Sequence, residues 1–165
     1  MNISLSLLPE FDLEMKSTRK VIERAQKEKF GWKPHDKSFS FGDLATHVAQ
    51  LVSWGSMIMS SDELDIGGNF PKPQIESTQD ILDLFDKNVT DTRAALAAAS
   101  DEDFLKTWTL RKGSDTIFTL PKVAVVRTMV MNHVIHHRGQ LSVYLRLNDI
   151  PVPSIYGPSA DEQTF

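Results

Sequence analysis

Apolar residues along this chain fall into four runs with a period near 3.6, separated by polar stretches that carry most of the Gly and Pro. That pattern predicts four helices joined by loops. The first run has Phe11, Met15, Ile22 and Ala25 as its inner stripe. It predicts a helix from about Pro9, a residue accepted in a first helical turn, to Lys27. Gly31 and Pro34 close it, and His35 sits in the polar loop that follows, where it is expected to be exposed. The second run opens at Ser40, with Asp43 three residues on as a short capping box and with Phe39 and Leu44 spaced as a hydrophobic staple. Its stripe is Leu44, His47, Val48, Leu51, Trp54, Gly55 and Ile58.

Residues 60–73, with Gly67-Gly68 and Pro71-Lys72-Pro73, read as linker. Ser77 and Asp80 cap a third helix that lasts to about Ala99, with Ile81, Phe85, Val89, Leu96 and Ala99 inward. Ser100-Asp101-Glu102-Asp103 breaks the pattern. Thr107–Leu110 and Thr116–Leu120 flank a turn containing Gly113 and predict a small hairpin or pair of extended arms. Pro121 opens the fourth helix, expected to run to about Asn148, and the Pro-rich segment after Ile150 cannot continue it. The expectation is an all-α protein, a four-helix bundle in one domain over residues 1–165, with a small extended or hairpin segment before the last helix.

Composition narrows the function classes. A net charge of -4 without a basic block gives no electrostatic reason for a nucleic-acid partner. No cysteine is present, so disulfides, thiolate ligands and a thiol nucleophile from the chain itself are all excluded. That fits a reducing compartment, and no stretch approaches the roughly 20 apolar residues of a membrane span. A soluble cytoplasmic protein is expected.

The candidate chemistry lies in the fourth helix, between Met129 and Arg146. His133 and His137 stand four residues apart on its apolar face, where Cβ atoms on successive turns lie about 6 Å apart. Two imidazoles that reach one point can bind a transition metal; the alternative is a pair of hydrogen-bonded core histidines. His47 lies within the apolar stripe of the second helix, and spacing alone does not connect it to the pair. No Glu-x-x-His or His-Glu-x-x-His pattern occurs, which removes di-iron carboxylate and metalloprotease readings.

The stretch His133-Val134-Ile135-His136-His137-Arg138-Gly139-Gln140-Leu141, followed by Val152-Pro153 and Tyr156-Gly157-Pro158-Ser159, resembles the DinB-like superfamily, which includes thiol-dependent transferases. The resemblance extends to Trp32-Lys33-Pro34 and to the segment from Phe39 to His47. It implies a four-helix bundle with a divalent metal on three histidines, one from the second helix and two from the fourth: His47, His133 and His137. His136 lies about 100° round the helix and is not among them. Three neutral imidazoles leave coordination positions open, as in catalytic sites, and suit zinc or nickel. Gln50 and Trp54 follow His47 by about one and two turns, and Gln140 and Tyr144 follow His137 likewise; they are candidates for the pocket wall or for support of the ligands, with core packing the alternative for Trp54 and Tyr144. Arg138 and Arg146 receive no role.

The resemblance implies a metal-dependent enzyme, a transferase joining a low-molecular-weight thiol to a small electrophile in detoxification or stress response. The alternatives are a hydrolase on the same site and a non-catalytic bundle that binds metal or ligand. No Asp or Glu is expected on the histidine face to act as general acid or base. A homodimer is also expected, in which Trp108 to Phe118 and the region of Tyr156 supply apolar surface.

Overall fold

The computed structural model describes residues 2–68 and 70–163. Helix α1 spans Ile3–Glu23, so it begins before Pro9 rather than at it. Asn2 caps it by accepting from the Leu5 amide. The Ile3 amide donates to Asp101 Oδ1 at 2.7 Å, and Ser4 Oγ donates to the Leu96 carbonyl at 2.8 Å. These contacts fix the first turn from another part of the chain. Pro9 is then tolerated inside the helix, on an exposed face. Leu7, Phe11, Met15 and Ile22 are buried along the opposite stripe.

Helix α2 (Phe41–Leu51) begins where the sequence predicts, with Ser40 Oγ accepting from the Asp43 amide at 3.1 Å and donating to Asp43 Oδ2 at 2.7 Å. The second run does not stay one regular helix, since α3 (Ser53–Ser60) follows after an irregularity at Val52. Its cause is helix α4 (Thr78–Ala98), which is capped by a full box between Ser77 and Asp80. Thr92 Oγ1 donates to the Val52 carbonyl at 2.6 Å and accepts from the Ser56 amide at 3.2 Å. Asn88 Nδ2 donates to the Ala49 carbonyl at 2.9 Å. A hydroxyl thus stands inside the i to i−4 ladder, a recognised cause of a helix break. Gly55 allows the approach: a Cβ there would lie 2.2 Å from Thr92 Cγ2.

The expected all-α class requires correction. The fold is mostly helical with a three-stranded sheet in the order β1-β2-β3. Strands β2 (Thr107–Lys112) and β3 (Asp115–Pro121) form the expected hairpin, turned through Gly113 at φ 60°. Strand β1 (Glu63–Asp65) lies in the stretch read as linker and pairs parallel to β2. Arg111 anchors it, reaching Glu63 at 2.8 Å and Asp65 at 2.7 Å. The acidic stretch after Ala99 also folds, into the short helix α5 (Asp101–Leu105) with its own capping box.

The last helical run comprises α6 (Lys122–Val125), a π segment over Val126–Asn132, and α7 (His133–Leu147). Helix α1 packs against α4 and α7, and α2 packs against the same two helices. Core side chains from α1, α2, α4 and α7 fill the space between them. Trp108, expected as surface for a partner, is fully buried and Phe118 packs against it, because the sheet folds back onto the helical core. No helix among the described residues is long and apolar enough to cross a membrane.

Candidate metal centre

The packing of α2 on α7 brings together the histidines that spacing alone could not connect. His47, His133 and His137 each offer one ring nitrogen, and these atoms lie within 4.8 Å of one another. His133 Nε2 and His137 Nε2 are 3.0 Å apart. The His47 ring sits edge-on to both partners, with centroids 4.7 Å from His137 and 5.6 Å from His133. Phe39 stacks on His47 at 5.4 Å and meets the edge of His137 at 6.4 Å. Phe39, expected as a hydrophobic staple, thus makes a direct contact with the site.

Protonation of the pair is constrained by its neighbours. Gln140 Oε1 lies 2.7 Å from His137 Nδ1 and in this orientation of the amide accepts a proton held there, the tautomer that leaves Nε2 bare. The other end of Gln140 donates to exposed His136 at 3.1 Å. His133 Nδ1 is buried and makes no well-formed hydrogen bond among the described residues, although the Met129 carbonyl one turn back is close enough to favour a proton on the ring. A proton on His133 Nε2 satisfies the 3.0 Å contact but leaves a buried lone pair at Nδ1 without a donor. A proton on Nδ1 sets two Nε2 lone pairs against each other. A cation accepting both Nε2 lone pairs removes that repulsion, and metal-ligating histidines commonly direct the other ring N–H towards a carbonyl. The donor set therefore fits a divalent ion.

All three imidazoles are held neutral more strongly than usual. Burial pushes His47 down to about 4, with the His137 and His133 rings adding to the effect. Burial also lowers His133, as does His137, while the Met129 carbonyl on the preceding turn opposes the shift. His137 is lowered by burial against the opposing hydrogen bond to Gln140. Neutral imidazole is the form that ligates metal.

Two clefts meet at His47 and Gln50, which line both. The smaller, about 450 Å³, carries Asp43 and Lys72 on its walls. The larger, about 750 Å³, is lined by Trp54, by residues around β1, by α4 side chains and by His133. Gln50 and Trp54 thus occupy pocket walls. Gln140 is instead exposed and bonded to a histidine, and Tyr144 lines neither cleft. Tyr144 packs edge-on against Trp32 and donates to the Phe39 carbonyl at 3.2 Å, holding the segment that stacks on His47. Arg138 is buried behind the site, 2.7 Å from Glu14 and 2.6 Å from Tyr156 Oη. Asp43 is a carboxylate that the sequence reading missed at the site: its position four residues before His47 was the signal, masked by its evident capping role. Exposed His35 accepts from the Lys37 amide and stands apart.

The family model described as the DinB family matches residues 1–164. A DinB-like protein from Bacillus cereus ATCC 10987 has a similar structure, with a TM-score of 0.71 and 23% identity over 94% of this chain and 98% of that one. A DinB-like protein from Bacillus subtilis matches with a TM-score of 0.70 and 17% identity, over 97% and 99% of the two chains. A protein assigned to the DinB family from Exiguobacterium sibiricum 255-15 gives 0.64 and 18%, over 98% of each chain. No curated protein matches the chain in sequence.

Proposed function

The chain belongs to the DinB family, and from that premise we propose that His47, His133 and His137 hold one divalent ion, zinc or nickel, in a single-domain four-helix bundle. We further propose that the site is that of an enzyme joining a low-molecular-weight thiol to an electrophile, in detoxification or stress response. The observation that carries the metal reading is the His133–His137 pair, whose two Nε2 atoms face each other at 3.0 Å while buried His133 Nδ1 makes no well-formed hydrogen bond among the described residues. When bound, such an ion supplies Lewis acidity that favours the deprotonated form of a nucleophile near neutral pH.

The chain's own residues supply the remainder. With no cysteine present, the thiol must come from outside. The smaller cleft suits a polar nucleophile, since Lys72 can pair with a carboxylate and Asp43 can accept a proton beside His47. Phe39 shields the imidazoles on one side and limits their rotation. Asp43 would equally serve water as the nucleophile, which keeps a hydrolase as the second reading.

Metal content per chain after gentle purification tests the ligands: it should approach one and fall to background in His133→Ala and His137→Ala. Stoichiometric metal in the double variant overturns the ligand set. For activity, thiol depletion is followed against epoxides, quinones and activated aryl halides. Metal-dependent thiol consumption supports the transferase, and ester cleavage without thiol consumption selects the hydrolase. No turnover across both panels leaves a metal-binding protein without catalysis. A homodimer is part of the proposal, with exposed Ile117 and Leu120 of β3 as apolar contact surface. A monomer mass by light scattering at micromolar concentration refutes it.

A further inference from the structure

The two clefts differ in charge. Whereas the smaller carries a carboxylate and an ammonium, the larger has no Asp, Glu, Lys or Arg among its described lining residues. Its apolar wall is Trp54, Met57, Leu64, Ile66, Phe70 and Leu84. Its volume, about 750 Å³, lies within the range of small-molecule sites, and such sites combine an apolar lining with a few placed polar groups.

One of those polar groups is incomplete. Asn88 lines this cleft and is only 7% exposed. Its Nδ2 donates to the Ala49 carbonyl, which can only accept, so the orientation of the amide is settled. Oδ1 accepts no hydrogen bond from the described residues. Among the described residues only His133 Nδ1 is a fully buried side-chain atom without a partner, so Oδ1 keeps access to solvent. A ligand that covers it without a donor leaves it unpaired, and the amide cannot turn round without breaking its bond to α2. The cleft therefore offers an apolar wall, the Asn88 acceptor, the polar side chains of Gln50 and Ser53, and two imidazoles, those of His47 and His133.

We infer that the larger cleft binds an uncharged, largely apolar molecule bearing one hydrogen-bond donor, with the donor on Asn88 Oδ1 and the reacting end at His47 and His133. A cationic ligand loses its hydration there without gaining a counter-charge, since no Asp or Glu is among the described lining residues. A neutral ligand without a donor leaves Oδ1 unpaired. The inference rests on the proposed function only for which end of the ligand reacts; the binding itself requires no metal.

Equilibrium dialysis on the full chain, as purified and after chelation, tests it with three matched probes: 2-naphthalenemethanol, its methyl ether and the corresponding ammonium. The alcohol should bind about tenfold more tightly than the ether, the loss expected when the ether covers the Asn88 acceptor without pairing it. It should exceed the ammonium by at least about tenfold. Met57→Glu, which places a charge in the wall, should abolish alcohol binding; the probe series on the unaltered chain needs no variant to fold. Equal affinity across the three probes overturns the inference, as does undiminished binding by folded Met57→Glu. Metal measured in the same samples separates the two readings. Alcohol binding in a protein without metal supports the cleft and removes the metal, whereas metal without alcohol binding overturns the cleft alone.

Discussion

Gly55→Ala should destabilise this protein, although the same change inside an ordinary helix stabilises by about 0.5–1 kcal/mol. The new methyl would lie 2.2 Å from Thr92 Cγ2, far inside the roughly 3.5–4.0 Å of a normal carbon contact. Thr92 cannot swing aside cheaply. Its hydroxyl donates to Val52 at 2.6 Å and accepts from Ser56 at 3.2 Å, and its β-branched side chain has few rotamers. Overpacking of this kind costs about 1–3 kcal/mol, and releasing the hydroxyl instead exposes buried backbone groups to a loss of about 1–3 kcal/mol each. The expected net loss is about 2–4 kcal/mol, after the helical gain is offset against these terms. Thr92→Ser removes Cγ2 while keeping the hydroxyl, so it should relieve much of the clash. Urea denaturation followed by circular dichroism, on the two single variants and the double, gives the coupling energy. A coupling of about 1–3 kcal/mol, with the double variant more stable than additivity allows, is expected. Additive losses, or a more stable Gly55→Ala, would show that the hydroxyl is not wedged into the α2–α3 junction.

Other outcomes follow from the site and its support. Gln140→Leu removes the acceptor that fixes the His137 tautomer and should weaken metal affinity by roughly 10–100-fold, read by competition with a chromogenic chelator; an unchanged affinity refutes that role. Metal-free protein should lose stability as pH falls from about 6.5 towards 4, because the unfolded chain protonates imidazoles that the folded chain keeps neutral. Most of the carboxylates with lowered values contribute below that window, so a urea midpoint flat from pH 7 to 5 contradicts the assignment. Arg138→Met strands Glu14 in a nearly buried position and should cost about 3–5 kcal/mol by urea denaturation; a loss within 1 kcal/mol, on the order of an exposed pair, refutes the buried network.

What could be read before the structure was local chemistry. Ser40, Ser77 and the Gly113 turn announced their elements because caps and turns act within a few residues. The spacing of His133 and His137 is also local, and so their approach was legible. The position of His47 was not, since it depends on how α2 packs on α7; the family resemblance supplied that connection. The start of α1 depends on Asp101 and Leu96, distant in sequence, and β1 is three residues held by Arg111. Neither leaves a periodic trace. Asn88 was hidden for another reason: a polar residue near an inner helical stripe looks like an interruption until its amide is seen to hold the Ala49 carbonyl of α2 beside a cleft.

The π segment at Val126–Asn132 sets the angular phase of everything after it. Upstream, Val125 and Val126 must face the core; downstream, His133 and His137 must face α2. Each residue of an α-helix advances the direction of the side chain by about 100°. Deleting a single residue from the π segment would let the i to i−5 bonds relax to i to i−4 with little local strain, yet would turn one of these two sets away from its target. The wide turn is therefore the frame in which core and site are reconciled, and this helix would tolerate many substitutions there more readily than any change of length.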